Sequence, residues 1–245
     1  MLSFIVPAYN EELELPSTLS AIHAAAAMSS EPYEIIVVND GSTDATATLA
    51  ATGGARLLTI QRRQIAAARN AGARQAQGDV LFFVDADTRI APQHVSAALT
   101  ALRNGCVGGG ARMEINEEIP RWARIFVYVF GRLYFAANLG AGAFLFTSRG
   151  LFERAGGFDE QCFAGEEYYF TRALKKFGRF RLLVDPVVTS GRKLRMYSAR
   201  QVLGGLVGII LRGKRAVRSR DRLDIWYDGK RETEVRKPAA GTAQE

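Results

Sequence analysis

The sequence predicts an α/β protein in which helices flank a mostly parallel sheet. Apolar, strand-like runs alternate with helix-like segments through the first half of the chain, a pattern typical of a sheet built from βαβ units. The runs are apolar on both faces, as in parallel sheets that are covered on two sides. With 245 residues, 48% of them hydrophobic, the chain can bury one sizeable core.

Seven runs have the composition of strands. The first, "LSFIVP", the second, "YEIIVV", and the fourth, "VLFFV", are rich in the β-branched and aromatic residues that strands favour. A Gly-rich run, "CVGGGARMEI", and a final run, "RFRLLV", follow in the second half. The expected strands span residues 2–7, 33–38, 55–60, 80–84, 106–115, 142–148 and 179–184.

Helical periodicity or terminal signals mark the segments between these strands. In the first segment Leu15, Leu19, Ile22 and Ala26 recur on one helical face. The third segment is Ala-rich and stops before Gly78, because glycine commonly ends a helix. The expected helices span residues 12–28, 43–52, 63–77, 92–103 and 121–137, a short one ending at 156–157, one from 166 onward and a basic one at 197–218.

Positive charge is concentrated near the end of the sequence. The net charge is +7, and residues 192–237 carry 14 Lys/Arg against 5 Asp/Glu. Such a segment is typical of a protein that binds an anionic membrane surface or a phosphate-bearing ligand, or of a solvated face. No nucleic-acid partner is expected, because no nucleic-acid reader motif accompanies the charge.

Polar residues gather where three of the expected strands end. "PAYNEE" (7–12) follows the first strand, "NDGSTD" (39–44) the second and "DADT" (85–88) the fourth. In a parallel sheet the ligand lies outside the carboxyl ends of the strands. We therefore expect the three clusters to form one site.

The Asp-x-Asp spacing in the third cluster indicates a divalent metal. Asp85 and Asp87 point the same way along an extended chain, with Ala86 opposite. Two neighbouring carboxylates repel each other unless a cation lies near them. Because Mg²⁺ and Mn²⁺ prefer carboxylates together with phosphate oxygens, we expect a phosphate-bearing ligand beside the metal.

Four stretches, in this order, resemble a known family. "SFIVPAYNEE", "YEIIVVNDGSTDAT", "AAARNAGARQAQGDVLFFVDADT" and "AGGFDE…GEEYYFTRALKKFG" are similar to the inverting family 2 glycosyltransferases, which have the Rossmann-like GT-A fold of nucleotide-diphospho-sugar transferases. The resemblance covers residues 2–184. It implies a glycosyltransferase domain at 1–191, with a nucleotide-binding half at 1–89 and an acceptor half at 90–191. Charge and composition predict a basic, partly helical extension at 192–229 and a disordered tail at 230–245.

The resemblance implies a role for each matched residue. The family moves a sugar from a nucleotide diphosphate to an acceptor hydroxyl with inversion, and a UDP-sugar is its default donor. The second Asp of the Asp-x-Asp, Asp87, would hold Mg²⁺ or Mn²⁺ on the diphosphate. The residues implied in nucleotide binding are Pro7, Ala8, Tyr9, Glu11, Asp40, Arg69, Asn70, Asp85 and Ala86.

Two acids begin a helix in the acceptor half. In the family the second acid of an "ED" pair at this position is the general base, and here the pair is "EE", Glu166–Glu167. By position Glu167 would take the proton of the acceptor hydroxyl. Burial suits a carboxylate to this task, because burial raises its pKa. Glu166 is the rival, because the change from Asp to Glu lengthens the side chain by one methylene.

The stretch after the last strand departs from the family pattern. Many relatives supply a further metal ligand there, a His, whereas this sequence has "VVTSGRKLRMYS". We expect Arg192 and Lys193 to bind the diphosphate directly and to replace part of the metal's charge.

The sequence says less about the acceptor molecule and about the location of the protein in the cell. A lipid-linked molecule and a saccharide both stay open as acceptors. The aromatic helix that holds Trp122, Phe126, Phe130 and Phe135 suits an acceptor pocket, a membrane interface or a packed core. Two cysteines without metal or disulfide spacing, no apolar leader and no run near 20 apolar residues favour a cytoplasmic protein, peripheral at the inner face of the membrane.

Two other functions are kept as alternatives. Haloacid-dehalogenase-like phosphatases also place Asp-x-Asp after a buried strand, although Arg89 stands where they need Thr or Val. A catalytically inactive nucleotide-sugar-binding protein needs no base, and the Glu pair argues against it. A dinucleotide-binding oxidoreductase is excluded, because GxGxxG does not follow the first strand.

Overall fold

A computed structural model describes residues 1–116, 118–204 and 217–218, apart from the side chain of Lys193. The strands in this part are β1 (Leu2–Ala8), β2 (Tyr33–Asp40), β3 (Arg56–Ile60), β4 (Val80–Val84), β5 (Thr88–Arg89), β6 (Gly108–Glu114), β7 (Phe144–Ser148) and β8 (Phe180–Thr189). The helices are α1 (Leu15–Ala27), α2 (Thr46–Thr52), α3 (Ile65–Gln75), α4 (Pro92–Arg103), α5 (Arg121–Ala136), α6 (Arg149–Ala155), α7 (Glu166–Leu174) and α8 (Arg192–Met196).

These strands form one mixed sheet in the order β3-β2-β1-β4-β7-β6-β8-β5. The β3-β2-β1-β4 portion is parallel, β7 runs antiparallel to both β4 and β6, and β6 is parallel to β8. The strand order reverses between β1 and β4, because β2 and β3 lie on one side of β1 and the later strands on the other. A crevice opens outside the carboxyl ends of strands at such a switch point, which places the site there.

Aromatic side chains fill both faces of the sheet. Phe82 and Phe83 are consecutive in β4 and therefore point to opposite faces. Phe82 stacks on Phe4 with 4.8 Å between ring centroids, whereas Phe83 meets Phe158 edge-on at 5.0 Å. Each face has its own cluster of buried residues. The burial of β4 on both faces fixes the position of the carboxylates that follow it.

The predicted α/β class and the seven predicted strands are confirmed, with shifts at the ends of elements. α1 begins at Leu15 instead of residue 12 and has Pro16 in its first turn, where proline's missing N–H is not needed. Both cysteines are buried and unpaired, as expected. The sheet continues through both expected halves of the domain, residues 1–89 and 90–191.

Two elements escaped prediction, and one prediction falls mostly outside the described residues. β5 is only two residues long and pairs with Val188 and Thr189 at the end of β8, which extends past Pro186. α8 lies in a basic stretch without a helix-start signal. Of the helix predicted at 197–218, residues 199–204 are helical, while 205–216 and the expected tail at 230–245 lie outside the described residues.

Candidate active site

A cavity of about 930 Å³ opens at the carboxyl ends of β1, β2 and β4. This volume is in the range of small-molecule sites. Twelve of the residues predicted for the site line it: Pro7, Ala8, Tyr9, Glu11, Asp40, Arg69, Asp85, Ala86, Asp87, Glu166, Glu167 and Arg192. The polar clusters that follow three different strands therefore meet at one place, as the strand-end rule predicts.

Hydrogen bonds join the loop after β1 to the loop after β2. The backbone N–H of Glu11 donates to Thr46 Oγ1 at 2.7 Å, and that of Asn10 donates to Ser42 Oγ at 3.0 Å. In return, the N–H of Thr43 donates to Asn10 Oδ1 at 2.8 Å. Many polar groups of the two motifs thus form hydrogen bonds between the loops. The loops together form one continuous wall of the cavity.

Asp40 shapes the wall of the cavity next to α3. Its buried carboxylate accepts hydrogen bonds from the backbone N–H groups of Arg62, Arg63 and Gln64 at 2.6, 2.8 and 2.7 Å. The guanidinium of Arg63 lies 3.3 Å from the ring centroid of Tyr9. Arg63 and Gln64 also line the cavity and were not predicted. The polar run "QRRQ" after the third strand was the available signal, since it lies at the same edge of the sheet.

Arg69 is fully buried and binds two carboxylates from distant parts of the chain. Its Nη2 lies 2.7 Å from Asp85 Oδ1, and its Nη1 lies 2.6 Å from Glu166 Oε1. Nη2 also donates to the carbonyl of Gly142 at 3.2 Å. Burial alone would lower the pKa of Arg69, but the carboxylates of Asp85, Glu166 and Glu167 outweigh it and raise that pKa. The guanidinium therefore stays charged and joins β4 to α7.

Two glycines allow this cluster to form. A Cβ at Gly142 would lie 2.6 Å from Nη2 of Arg69, so a larger residue would displace the guanidinium. Gly165, directly before α7, has a φ of 69°, in the left-handed region that favours glycine. It lets the chain turn so that Glu166 and Glu167 start the helix, where its dipole favours acids.

The two glutamates have different surroundings. Glu166 is buried and bound to Arg69, whereas Glu167 is partly buried and lines the cavity. Burial and the neighbouring carboxylate of Glu166 raise the pKa of Glu167 to about 8, although Arg69 opposes this. Burial and the two glutamates also raise the pKa of Tyr134, whose hydroxyl donates to the carbonyl of Gly140 at 3.0 Å. Glu167 can therefore exchange a proton with a bound hydroxyl near neutral pH.

Asn70 does not line the cavity, although the resemblance implied that it binds the nucleotide. Its Nδ2 donates to the carbonyl of Phe158 and to Glu160 Oε1, both at 2.9 Å, and its Oδ1 accepts from the N–H of Phe158 at 2.9 Å. Successive residues of a helix point about 100° apart, so Asn70 faces another neighbour than Arg69 does. Asn70 holds the loop before α7.

Arg192 is a second buried cation that lines the cavity. Nη2 of Arg192, at the start of α8, is 2.9 Å from both carboxylate oxygens of Glu11. Burial disfavours this charge, but the carboxylates of Glu11 and Asp87 outweigh it and raise the pKa of Arg192. Thr189 Oγ1 donates to Asp87 Oδ1 at 3.3 Å. Arg192 therefore supplies permanent positive charge close to Asp87. The side chain of Lys193, the other predicted diphosphate ligand, is not among the described parts of the chain.

The groups around Asp87 fit a metal ion that substrate phosphate oxygens also help to bind. Asp85, the other carboxylate of the motif, is held by Arg69 at 2.7 Å. In the part of the chain that the structure describes, no three His, Cys, Asp or Glu residues gather as metal ligands. Mg²⁺ is commonly held by one or two protein carboxylates together with substrate phosphates. Asp87 therefore fits a metal that arrives together with a diphosphate.

Aromatic rings of α5 form the far wall of the cavity. Phe126 stacks on Phe130 at 5.4 Å, and Phe130 stacks on Tyr134 at 5.6 Å between ring centroids. Phe135 lines the same space. Three of the aromatic residues that the sequence left open between pocket, membrane and core thus face the cavity.

Replacing Glu167 by Gln should change how stability depends on pH. Glu167 keeps its proton in the folded protein up to about pH 8 but loses it in the unfolded chain above about pH 4.5. Unfolding in this window releases a proton, so Glu167 makes the free energy of unfolding fall by up to about 1.4 kcal/mol per pH unit as the pH rises. Glu167→Gln should abolish this contribution and become increasingly stable relative to wild type between pH 5 and 8.

Urea unfolding at pH 5, 6.5 and 8 measures this difference. Glu153→Gln, at an exposed position of α6, is the matched control and should follow wild type throughout. If Glu167→Gln also followed wild type at all three values, the raised pKa would be refuted.

Curated relatives with named activities match less than half of the chain. An undecaprenyl-phosphate 4-deoxy-4-formamido-L-arabinose transferase of Aeromonas hydrophila is 35% identical over 112 residues, which cover 43% of this chain and 34% of that protein. A validoxylamine A glucosyltransferase of Streptomyces hygroscopicus is 35% identical over 107 residues, or 41% of this chain and 23% of that protein. In both cases the match spans less than half of the relative.

Solved structures share the fold over most of the chain. The mannosyltransferase PcManGT from Pyrobaculum calidifontis, in complex with GDP-Man and Mn²⁺, superposes with a TM-score of 0.66 at 22% identity and covers 93% of this chain and 68% of that chain. S. aureus TarS 1–349, in complex with UDP-GlcNAc, has a TM-score of 0.61 at 18% identity over 93% of this chain and 72% of that chain. At these identities the likeness shows the fold.

The family model for glycosyl transferase family 2 matches residues 3–155, more than half of the chain. This stretch runs from the second residue of β1 through β7 and contains the three strand-end clusters. Sequence match, fold and relatives agree with the resemblance found in the sequence. The chain belongs to glycosyl transferase family 2 and has the GT-A fold.

Proposed function

We propose that the protein transfers a sugar from a nucleoside-diphosphate donor to an acceptor hydroxyl, with inversion at the anomeric carbon. Membership of the family supports sugar transfer from such a donor. The finer proposal rests on one observation: Glu167, with its raised pKa, lines the same cavity as Asp87 and the charged Arg192. A base and a cationic site for a leaving diphosphate thus share one space.

The nucleotide of the donor is assigned to the ends of β1 and β2. Tyr9 and Arg63 offer an aromatic ring and a planar cation against which a base can stack. Pro7, Ala8 and Asp40 complete this wall. UDP is the default nucleotide, and the structures of the same fold in complex with UDP-GlcNAc and GDP-Man support a nucleotide sugar as the donor.

The diphosphate is assigned to Arg192. Lys193, expected from the sequence, is a further candidate. Glu11 holds the guanidinium of Arg192 in place, and a diphosphate can form charge-assisted hydrogen bonds with it. Asp87 would hold Mg²⁺ or Mn²⁺ that arrives on the diphosphate, and such an ion would stabilise the negative charge of the leaving group. The Mn²⁺ in the complex of a protein of the same fold supports a divalent metal as part of the proposal.

Glu167 is assigned the role of general base. It takes the proton of the acceptor hydroxyl as that oxygen attacks the anomeric carbon from the face opposite the leaving group. The bond to the diphosphate breaks and its electron pair leaves with the diphosphate, so the configuration inverts. Glu166 is bound to Arg69 and therefore positions the cluster, although the sequence left it as a rival base.

The charge near Glu167 favours a hydroxyl over a phosphate as the nucleophile. Glu166 and Glu167 lie side by side, and the single guanidinium of Arg69 is already shared with Asp85. A phosphate monoester carries a charge of about −1.5 to −2 at pH 7 and would be repelled there. We therefore assign an acceptor hydroxyl on a lipid-linked or saccharide molecule, unlike the undecaprenyl phosphate in the name of the Aeromonas relative.

Glu167→Gln should lower kcat for sugar transfer by about 10²–10⁴-fold, because the amide cannot take the proton. Nucleoside diphosphate release is measured with UDP-glucose, UDP-GlcNAc and GDP-mannose as donors and with dodecyl maltoside or undecaprenyl phosphate as acceptor. In wild type, kcat/KM should rise with an apparent pKa near 8. The anomeric proton of the product, followed by NMR, reports inversion.

Glu153→Gln serves as the control and should transfer like wild type. Transfer to undecaprenyl phosphate alone, undiminished in Glu167→Gln, would contradict both the base and the hydroxyl acceptor. Donor cleavage without any acceptor would favour the phosphatase-like alternative. Nucleotide binding without turnover of any donor would favour the inactive nucleotide-sugar-binding alternative.

Arg192→Gln should weaken UDP binding by about 10–100-fold, the loss expected for hydrogen bonds to a charged group. Uridine lacks the diphosphate, so its affinity should stay unchanged. Isothermal titration calorimetry with each ligand, with Mg²⁺ and with EDTA, separates the guanidinium from the metal. Arg103→Gln, at an exposed position of α4, is the control. An equal loss for uridine and UDP would refute the assignment of Arg192 to the diphosphate.

A further inference from the structure

Helix α5 has two faces with different surroundings. Phe126, Phe130 and Tyr134 form the stacked column that lines the cavity. The opposite side, here named the outer face, holds four large apolar side chains that are mostly exposed: Ile125 at 66%, Tyr128 at 65%, Val129 at 50% and Leu133 at 69%. Scattered apolar residues on a surface are ordinary, but four within nine residues of one helix form a contiguous patch that marks an interaction surface.

The charges on α5 are all positive. Arg121, Arg124 and Arg132 are exposed, and the helix contains neither Asp nor Glu. Arginine can lay its aliphatic stem along apolar surface while the guanidinium reaches an anionic headgroup. An apolar stripe bordered by arginines is typical of helices that lie in the interface of an anionic membrane.

We propose that the outer face of α5 lies on an anionic lipid bilayer, with the helix parallel to the membrane plane. Among the residues that the structure describes, no helix is long and apolar enough to cross a bilayer. The proposal rests on the proposed function in one respect: it gives a membrane-resident acceptor a route to the site. The inner face of the same helix lines the cavity that holds Glu167.

Charge disfavours the other occupants of this face. A second copy of the chain, packed face to face, would bring the same three arginines against each other. Residues 212–245 carry 10 Lys/Arg against 6 Asp/Glu and so bring more positive charge to a positive surface. Anionic lipid supplies both the apolar layer and the negative charge that the outer face lacks.

Flotation with vesicles of phosphatidylcholine, with and without phosphatidylglycerol, tests the proposal. Wild type should bind the anionic vesicles and lose binding as salt rises. Ile125→Glu/Leu133→Glu should lower the partition coefficient at least tenfold, because two carboxylates enter the apolar stripe. Arg121→Gln/Arg124→Gln/Arg132→Gln should lose about fivefold for each arginine, and only on anionic vesicles.

Matched controls separate the surface from folding and from catalysis. Met28→Glu/Val184→Glu also places two acids at exposed apolar positions, but away from α5, and should bind vesicles like wild type. UDP binding by each variant reports an intact fold. Glu167→Gln should bind vesicles normally, so failure of the catalytic proposal would leave this one standing.

Three results would overturn the proposal. Wild type could fail to float with anionic vesicles, or the α5 double variant could float as well as wild type. Sedimentation could instead show a dimer that the α5 double variant loses, which would assign the outer face to a second copy of the chain.

Discussion

The site depends on one buried guanidinium, that of Arg69. A buried charge is costly unless it is paired, and Arg69 is paired with Asp85 after β4 and with Glu166 at the start of α7. Burial, together with the neighbouring carboxylate of Glu166, raises the pKa of Glu167 to about 8, although Arg69 opposes this. The contacts of Arg69 therefore join the Asp-x-Asp motif to the glutamate pair, and because they engage Glu166 they leave Glu167 as the base of the proposed mechanism.

The packing of the sheet keeps these groups at a constant separation. Phe83, the second-last residue of β4, contacts the rings of Phe158 and Phe170. Phe158 and Phe170 lie 4.3 Å apart between centroids, which fixes α7 and the loop before it against the sheet. Asn70 ties the same loop to α3. The aromatic core thus sets the distance between the Asp-x-Asp motif and the glutamate pair, and a small displacement would separate Arg69 from one of its partners.

Much of this arrangement could be predicted, because the signals are local. Runs of apolar residues mark the strands, and the strand-end rule brings "PAYNEE", "NDGSTD" and "DADT" together. Other features depend on contacts between distant residues: Arg69 and Glu166 are 97 positions apart, and nothing near either predicts their pairing. Asn70 follows Arg69 directly and yet faces a loop, because burial on a helix is set by tertiary packing. The antiparallel position of β7 and the pairing of β5 with β8 are likewise set by the whole sheet.

A double-mutant cycle on Arg69 and Glu166 tests the central claim most directly. Arg69→Lys keeps the charge but cannot span two carboxylates, and Glu166→Gln removes one of them. The free energies of unfolding of both single variants and of the double variant come from urea titrations. If Arg69 joins the two ends of the site, the two single losses should together exceed the loss of the double variant by about 1 kcal/mol or more. Losses that add to within about 0.5 kcal/mol would show that the pair does not couple and would contradict the account.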